Sequence, residues 1–355
     1  MRFIGNKEKL VEWIYDELKF TNLKGGLFFD FFSGTTNVGK HFKKKGYQII
    51  SSDLLYTSYV LQKAYIENNE EPKFSGILKD IEEPLNLFPS SELEMVLNYL
   101  DGLEPKKGFI YENYTPEGTV HLDAPRMFFT SENGKKIDAI RIQINEWFKD
   151  NLISEQEYFI LIACLIETVP FYANISGVYA AFHKKWDPRA IKPLKLRPIE
   201  IISNDKKNLV FNTNSIELIK NFDYDIIYLD PPYNSRQYAP NYHLLETISK
   251  YDSPEIRGVA GLRDYSKQKS TFCVKSKALE ELEYIVSQAN FKYLVLSYNC
   301  EGIMKTDDIL NVLKKYGELS FKEYKYLRYK SNNNGDSNKK KFINEQLFIL
   351  KKLVS

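Results

Sequence analysis

The chain has 355 residues, enough to bury a sizeable core in one large domain with an insertion or in two domains. Its 43% hydrophobic and 27% charged residues exclude a disordered chain, and a net charge of +2 gives the whole molecule no pull toward a polyanion. The three cysteines, Cys164, Cys273 and Cys300, form no CxxC pair, and the four histidines show no ligand spacing, which excludes a disulfide framework and a structural zinc site.

Taken in chain order, the first predicted element is a helix over about 7–19, where Leu10, Val11, Ile14 and Leu18 share a face. The segment before it reads Phe3-Ile4-Gly5-Asn6-Lys7, ahead of which no signal peptide is expected; the cysteine usage leads to the expectation of a reducing, cytoplasmic setting. Leu27-Phe28-Phe29-Asp30-Phe31-Phe32 reads as a buried strand. It runs into Ser33-Gly34-Thr35-Thr36-Asn37-Val38-Gly39 and a lysine-rich helix. Gly34 lets a backbone approach a ligand closely, and a helix N-terminus offers unpaired N–H groups. A second apolar run, 47–52, ends at Asp53, about 20 residues after the glycine turn, where an acid can hold two ribose hydroxyls. That pair suits any nucleoside cofactor. The three-glycine spacing that cradles a pyrophosphate is missing, which disfavours a dehydrogenase and favours S-adenosylmethionine, a cofactor without a phosphate.

After a helix over about 55–67, the region 70–205 breaks the strand–helix rhythm with acidic, aromatic and helical pieces. The segment 158–182 is largely apolar, but Glu167, Pro170, Asn174 and Gly177 interrupt it. It reads as a buried helix over about 155–169 and a turn, rather than a membrane span. Charge is uneven. Residues 67–104 carry ten acids and two lysines, whereas 184–207 carry eight bases and three acids and 322–352 nine bases and three acids. Basic runs of this kind permit a nucleic-acid face on a nearly neutral protein, although most charge runs are only solvated surface.

The rhythm resumes near 208, and 225–229 reads as a buried strand ending at Asp230-Pro231-Pro232-Tyr233. Two prolines forbid further ladder bonds and stiffen the exit. They leave a carboxylate, a carbonyl and an aromatic ring at the carboxyl end of a strand, where open α/β sheets bind ligands. Two acceptors and a ring suit a flat heterocycle with an exocyclic amine, although the same tetrapeptide also serves as a plain strand-ending turn. Strands are predicted at 294–299, 319–329 and 342–351, the last two joined by the polar stretch 331–338 and three lysines, read as a hairpin loop.

These segments, in this order, resemble the Dam-like N6-adenine-specific DNA methyltransferases of restriction-modification systems. Phe3 to Lys7 resembles the N-terminal cofactor motif of that group, Asp30-Phe31-Phe32-Ser33-Gly34-Thr35 its Asp-x-Phe-x-Gly-Thr motif, and Asp53 its ribose acid. Asp230 to Tyr233, extended as Asn234-Ser235-Arg236-Gln237-Tyr238, resembles its catalytic motif. The resemblance runs from residue 2 to about 350. One departure is Asn214, which stands where many relatives carry an acid.

The resemblance implies an α/β fold: a Rossmann-like S-adenosylmethionine-dependent methyltransferase sheet from 1–69 and 206–355, with a mainly helical DNA target-recognition domain inserted at 70–205. It implies methyl transfer from S-adenosylmethionine to the N6 amine of a flipped-out adenine in double-stranded DNA. The expected catalytic residues are Asp230, Pro231, Pro232 and Tyr233. The expected cofactor residues are Asn6, Lys7, Asp30, Phe31, Ser33, Gly34, Thr35, Asp53 and Asp230. For DNA they are Arg236 and Tyr238, with Tyr242 as a further pocket-wall candidate. The segment 174–186, which resembles the recognition hairpin of the group, adds Asn174, Tyr179, Lys184 and Lys185, and the basic run after it adds Lys192, Lys195 and Arg197. A monomer with no metal, and a cognate restriction endonuclease as partner, complete the expectation. RNA adenine or a protein amide would suit the same acceptor geometry, and a non-catalytic nucleic-acid-binding module would share the fold.

Overall fold

The structure is a computed structural model that describes residues 6–23, 25–81, 91–327 and 342–353. Three sequence expectations lie outside the described residues: Phe3-Ile4-Gly5 of the N-terminal motif, the polar loop and lysines at 331–341, and 82–90 of the acidic stretch.

In chain order the strands are β1 (Leu27–Asp30), β2 (Gln48–Ser52), β3 (Leu209–Phe211), β4 (Tyr224–Leu229), β5 (Ile256–Arg257), β6 (Leu262–Arg263), β7 (Phe291–Asn299), β8 (Gly317–Leu327) and β9 (Phe342–Lys352). The helices are α1 (Val11–Leu18), α2 (Asn37–Lys44), α3 (Tyr56–Gln62), α4 (Glu92–Gly102), α5 (Phe109–Tyr114), α6 (Ser131–Lys149), α7 (Glu155–Thr168), α8 (Ala239–Lys250), α9 (Lys275–Gln288) and α10 (Thr306–Leu313).

Seven strands form one sheet in the order β3-β2-β1-β4-β7-β9-β8. The first five run parallel, and β9 runs antiparallel between β7 and β8. This is a mixed α/β architecture with a mainly parallel sheet. The central strands are apolar on both faces because helices cover both faces. Phe29, Ile227, Leu294 and Phe348 pack with Leu282, Ile285 and Val286 of α9 and Ile309 and Leu313 of α10. On the opposite face Phe28 stacks on Phe42 of α2, with ring centres 4.0 Å apart, and on Tyr228. From β1 the chain fills one side of the sheet through β2 and β3, and then the other through β4 and β7. The strand order therefore reverses between β1 and β4, and such a switch point opens a crevice beyond the carboxyl ends of the strands.

The chain divides into two compact units. One contains the sheet and is built from Gly5–Gln62, Ile202–Ala239 and Ser266–Ser355. The other is helical and is built mainly from Lys63–Ile201 with Pro240–Tyr265. The inserted segment expected at 70–205 is thus accompanied by a second piece that its own sequence does not mark. The reason is packing within the helical unit. His243 donates to the carbonyl of Tyr179 at 2.8 Å, and Tyr179 N donates to the carbonyl of Asn241 at 2.7 Å. The Tyr114 hydroxyl donates to Gly261 O, and Arg126 donates to the carbonyls of Gly258 and Val259. Tyr242, a candidate pocket wall, is 1% exposed in α8 and belongs to this core.

Within the helical unit, α7 opens on a capping box between Ser154 and Glu157 and ends before a 3-10 turn at Val169–Phe171 that contains Pro170. No described helix is long and apolar enough to cross a membrane.

Candidate active site

The sheet face that carries Phe28 also carries the site. The register pairs Phe28 with Ile226 and Asp30 with Tyr228, so 28, 30, 226, 228 and 230 follow one another on that face. Tyr228 pairs with Val295 on β7, and β7 pairs with β9 through Ser297–Leu347 and Asn299–Glu345. Asp30, Asp230, Ser297 and Glu345 therefore stand along the carboxyl ends of β1, β4 and β7 and the start of β9.

Asp30 is 1% exposed, and its Oδ2 accepts from Gly39 N of α2 at 3.1 Å. Burial pushes its carboxyl from 3.8 up to about 7 against that hydrogen bond, with Asp230 and Asp53 adding to the rise. The loop that follows turns on two positive-φ residues, Gly34 at +48° and Thr36 at +61°. Gly34 N donates to Asp53 Oδ2 at 2.9 Å, and Leu55 N donates to Asp53 Oδ1 at 2.8 Å. Those bonds aim the Asp53 carboxylate, which has roughly four acceptor positions in all. Ser33 is held twice: its N–H donates to Ser52 O, and its hydroxyl accepts from Gln62 at 2.7 Å. Asn6 accepts from the Asn37 amide at 2.5 Å, tying the segment before α1 to the first turn of α2. Ser33, Gly34, Thr35, Asp53, Asn6 and Asp30 thus meet around one loop. Phe31 points the other way, into the core beside Phe29, so the sequence expectation that it touches a cofactor is corrected: alternation along the strand buries its ring on the far face.

Asp230 leaves β4 beside this loop. Its Oδ1 lies 3.2 Å from Lys7 Nζ, and Lys7 also donates to Glu345. Ser297 Oγ donates to the same Glu345 oxygen at 2.6 Å. Burial raises the Asp230 carboxyl above its ordinary range, Lys7 opposes the rise, and Glu345 adds to it. Burial alone would lower Lys7; the Asp230 and Glu345 carboxylates outweigh it and hold the ammonium well above its usual value. Lys7 was read as a cofactor residue, yet its observed partners are the motif carboxylate and Glu345.

Pro231 and Pro232 are buried. Tyr233 is half-buried against the core, and its carbonyl accepts from Ile303 N at 2.9 Å. The segment after it is pinned in place: Gln237 and Ser270 exchange two hydrogen bonds, at 3.0 and 2.8 Å, and Asn234 Oδ1 accepts from Arg236 N. The Arg236 side chain is exposed and Tyr238 is half-buried. Asn214 is exposed and caps the turn at Ser215–Leu218 by accepting from Ile216 N at 3.2 Å, so it serves the backbone.

Sequence reasoning missed Glu345 and Ser297. A signal was present. Glu345, Leu347 and Ile349 share one face of β9, and an acid beside buried apolar residues on a strand face needs a buried partner. The partner lies 338 residues away in sequence, which is why the pairing stayed hidden.

The proposed DNA segment lies in the helical unit, where the structure corrects part of it. No strand occurs at 174–186, so there is no hairpin. Asn174 is fully buried; its amide donates to Met127 O and His183 O, and its Oδ1 accepts from Asp187 N. Tyr179 is 1% exposed. Both organise the loop, and neither offers a side chain to a base edge. The basic run keeps its exposure for a reason. Asn133 of α6 donates to Ala190 O and Lys192 O and accepts from Leu194 N, and Leu196 N donates to Asp101. Leu194 and Leu196 are buried, so the alternate residues Lys195 and Arg197 face out, as do Lys184, Lys185 and Lys192.

The sequence model of the D12 class N6 adenine-specific DNA methyltransferases matches residues 3–316, a span that takes in the glycine loop and the Asp230 motif. The chain belongs to that family. It is 41% identical to the type II methyltransferase M.FokI of Planomicrobium okeanokoites over 99% of its own length and 53% of the relative's. It is 36% identical to the modification methylase StsI of Streptococcus sanguinis, covering 99% of the chain and 52% of that protein. The chain thus spans about half the length of these two relatives. With the type II methyltransferase M.NlaIII of Neisseria lactamica it is 38% identical over 99% of both chains.

Proposed function

We propose that the protein transfers a methyl group from S-adenosylmethionine to the N6 amine of adenine in a specific double-stranded DNA site, as the modification half of a restriction-modification system. The observation that carries this is the placement of Asp230-Pro231-Pro232-Tyr233 at the switch point of the sheet, beside the Gly34–Asp53 loop. The residues present fit the donor. The positive-φ turn at Gly34 exposes backbone, Asp53 is aimed by two N–H bonds as a ribose acceptor, and Asp30 is a buried carboxylate short of positive charge. When bound, the donor supplies an electrophilic methyl on a sulfonium.

The chain's own groups do the rest. The lone pair of an aromatic amine is delocalised into its ring and must be freed as the nitrogen becomes tetrahedral. Asp230 and the Pro231 carbonyl accept the two N–H bonds and favour that geometry, and Tyr233 stacks on the base, at about 1–3 kcal/mol for such a platform. Alignment of amine and methyl supplies much of the acceleration. The proton released from nitrogen passes to Asp230 or to water. Inside a duplex the amine cannot be reached, so the base must leave the stack at a cost of a few kcal/mol. The exposed Lys184, Lys185, Lys192, Lys195 and Arg197 contact phosphates, with Arg236 a further phosphate contact and Tyr238 part of the base pocket. The protein acts as a monomer in the cytoplasm, and its biological partner is an endonuclease that cuts the same site.

Sequencing of modified bases in DNA from cells expressing the protein tests this reading. The expected result is N6-methyladenine confined to one short motif. DNA without modified adenine, from cells in which the folded protein is abundant, refutes it.

A further inference from the structure

We propose that Glu345 is a positioning residue for methyl transfer: from β9 it shares the Lys7 ammonium with Asp230, keeps Asp230 out of a full ion pair, and so leaves that carboxylate able to accept from the substrate amine. The inference rests on the methyltransferase reading above and adds to it a residue outside the recognised motifs.

Glu345 is 1% exposed and Lys7 6%. Burying a carboxylate is costly unless it is paired and hydrogen-bonded. Glu345 has both kinds of partner, Lys7 Nζ and the Ser297 hydroxyl at 2.6 Å. Structural economy does not explain the arrangement, because Asp230 alone would neutralise Lys7. A buried and a half-buried acid around one ammonium make a poorer ion pair than one acid does, and buried pairs rarely repay their desolvation. The second acid has a consequence that the first lacks. It competes for Lys7, whose Nζ lies closer to Glu345 than to Asp230. A carboxylate locked in a tight ion pair is a weak acceptor for an amine. Asp230, sharing its cation, remains a strong one.

The charged and titratable groups that face Asp230 come from four elements: Lys7 ahead of α1, Asp30 on β1, Tyr228 on β4 and Glu345 on β9. Lys7 pulls the Asp230 carboxyl toward the charged form, and Glu345 pushes it the other way. Removing either partner should therefore move Asp230 in opposite directions. A residue that merely packs β9 against β7 would move it in neither.

The test is single-turnover methylation of target DNA as a function of pH, with Michaelis constants for donor and DNA measured alongside. The wild type is read first. In Glu345→Gln the side-chain oxygen can still accept from Lys7 and Ser297, so the shape is kept and only the charge is lost. Lys7 then pairs fully with Asp230. The expected result is an acid limb moved to lower pH and a plateau rate reduced about tenfold or more, the scale of a slightly misplaced reacting group. Both Michaelis constants should stay at their wild-type values, and Glu345→Asp, which restores the charge, should bring the limb back toward wild type. Lys7→Gln should move the limb to higher pH, and it decides the question if Glu345→Gln does not fold. An active wild type with the limb unmoved in the folded variants overturns this inference alone. A wild type that transfers no methyl overturns the enzyme reading and this one with it.

Discussion

Asp30→Asn isolates a cost that the folded chain carries for its site. The carboxyl rises from 3.8 to about 7 on folding, mainly because it is buried. At about 1.36 kcal/mol per pH unit, the ionised form destabilises the fold by an amount on the order of 4 kcal/mol, as an upper bound. The sign follows from linkage. A carboxyl raised in the folded state stabilises fully below its unfolded value, and that stability is lost as pH rises through about 7. Asparagine mimics the protonated acid and can still accept from Gly39 N through its Oδ1. The variant should therefore match wild type near pH 4 and exceed it by about 1–3 kcal/mol near pH 8, with relaxation taking up the remainder. Urea unfolding of the donor-free protein at both pH values measures this. If S-adenosylmethionine binds as proposed with its cation facing Asp30, saturating amounts of it should shrink the gain, because a nearby cation favours the ionised form. Equal destabilisation at both pH values would show that the Gly39 bond, not desolvation, dominates at this position.

Four further outcomes are expected. Asp230→Ala should lower the single-turnover rate by at least about a hundredfold, while donor and DNA binding, measured by calorimetry, stay near wild type. Asp53→Ala should weaken donor binding by about tenfold or more, the scale of a lost charge-assisted hydrogen bond; an unchanged affinity in a folded variant removes Asp53 from the site. Neutralising Lys192, Lys195 and Arg197 together should lower DNA affinity on every sequence and reduce the slope of log K against log salt by about 0.9 per lost phosphate contact. An unchanged slope places the interface elsewhere. Asn174→Ala should cost about 2–4 kcal/mol, since three backbone partners lose their bond at once, and should leave the choice of methylated site unaltered; a changed choice would return Asn174 to the DNA interface.

Local chemistry made the sheet legible from sequence. A strand that runs into a glycine turn or into two prolines carries its own boundary, so β1 and β4 begin and end within a residue or two of where their sequences place them, and β2 does so on its apolar run alone. The paired acids at 30, 53 and 230 follow from that, because strand ends in a parallel sheet converge. Distance in sequence hid the rest. Lys7 and Glu345 meet across the whole chain, and no periodicity or spacing records that meeting. The basic segment misled in a different way. Asn174 and Tyr179 are polar residues in a region rich in bases, which looks like a reading surface. In the fold, the polar atoms of Asn174 are consumed by backbone groups that the irregular loop would otherwise leave unpaired. The lysines were legible because exposed cations need no partner.

Three carboxylates, Asp30, Asp230 and Glu345, and one ammonium, Lys7, stand along one row of strand ends, and burial raises Asp30 and Asp230 above their ordinary range. A fold selected only for stability would replace such a row with apolar side chains, because unpaired buried charge is the costliest thing a core can hold. The deficit is one of positive charge. A cationic methyl donor held by this row, as proposed above, would supply positive charge that its neutral product would lack. The same row would then favour a cationic donor over its neutral product.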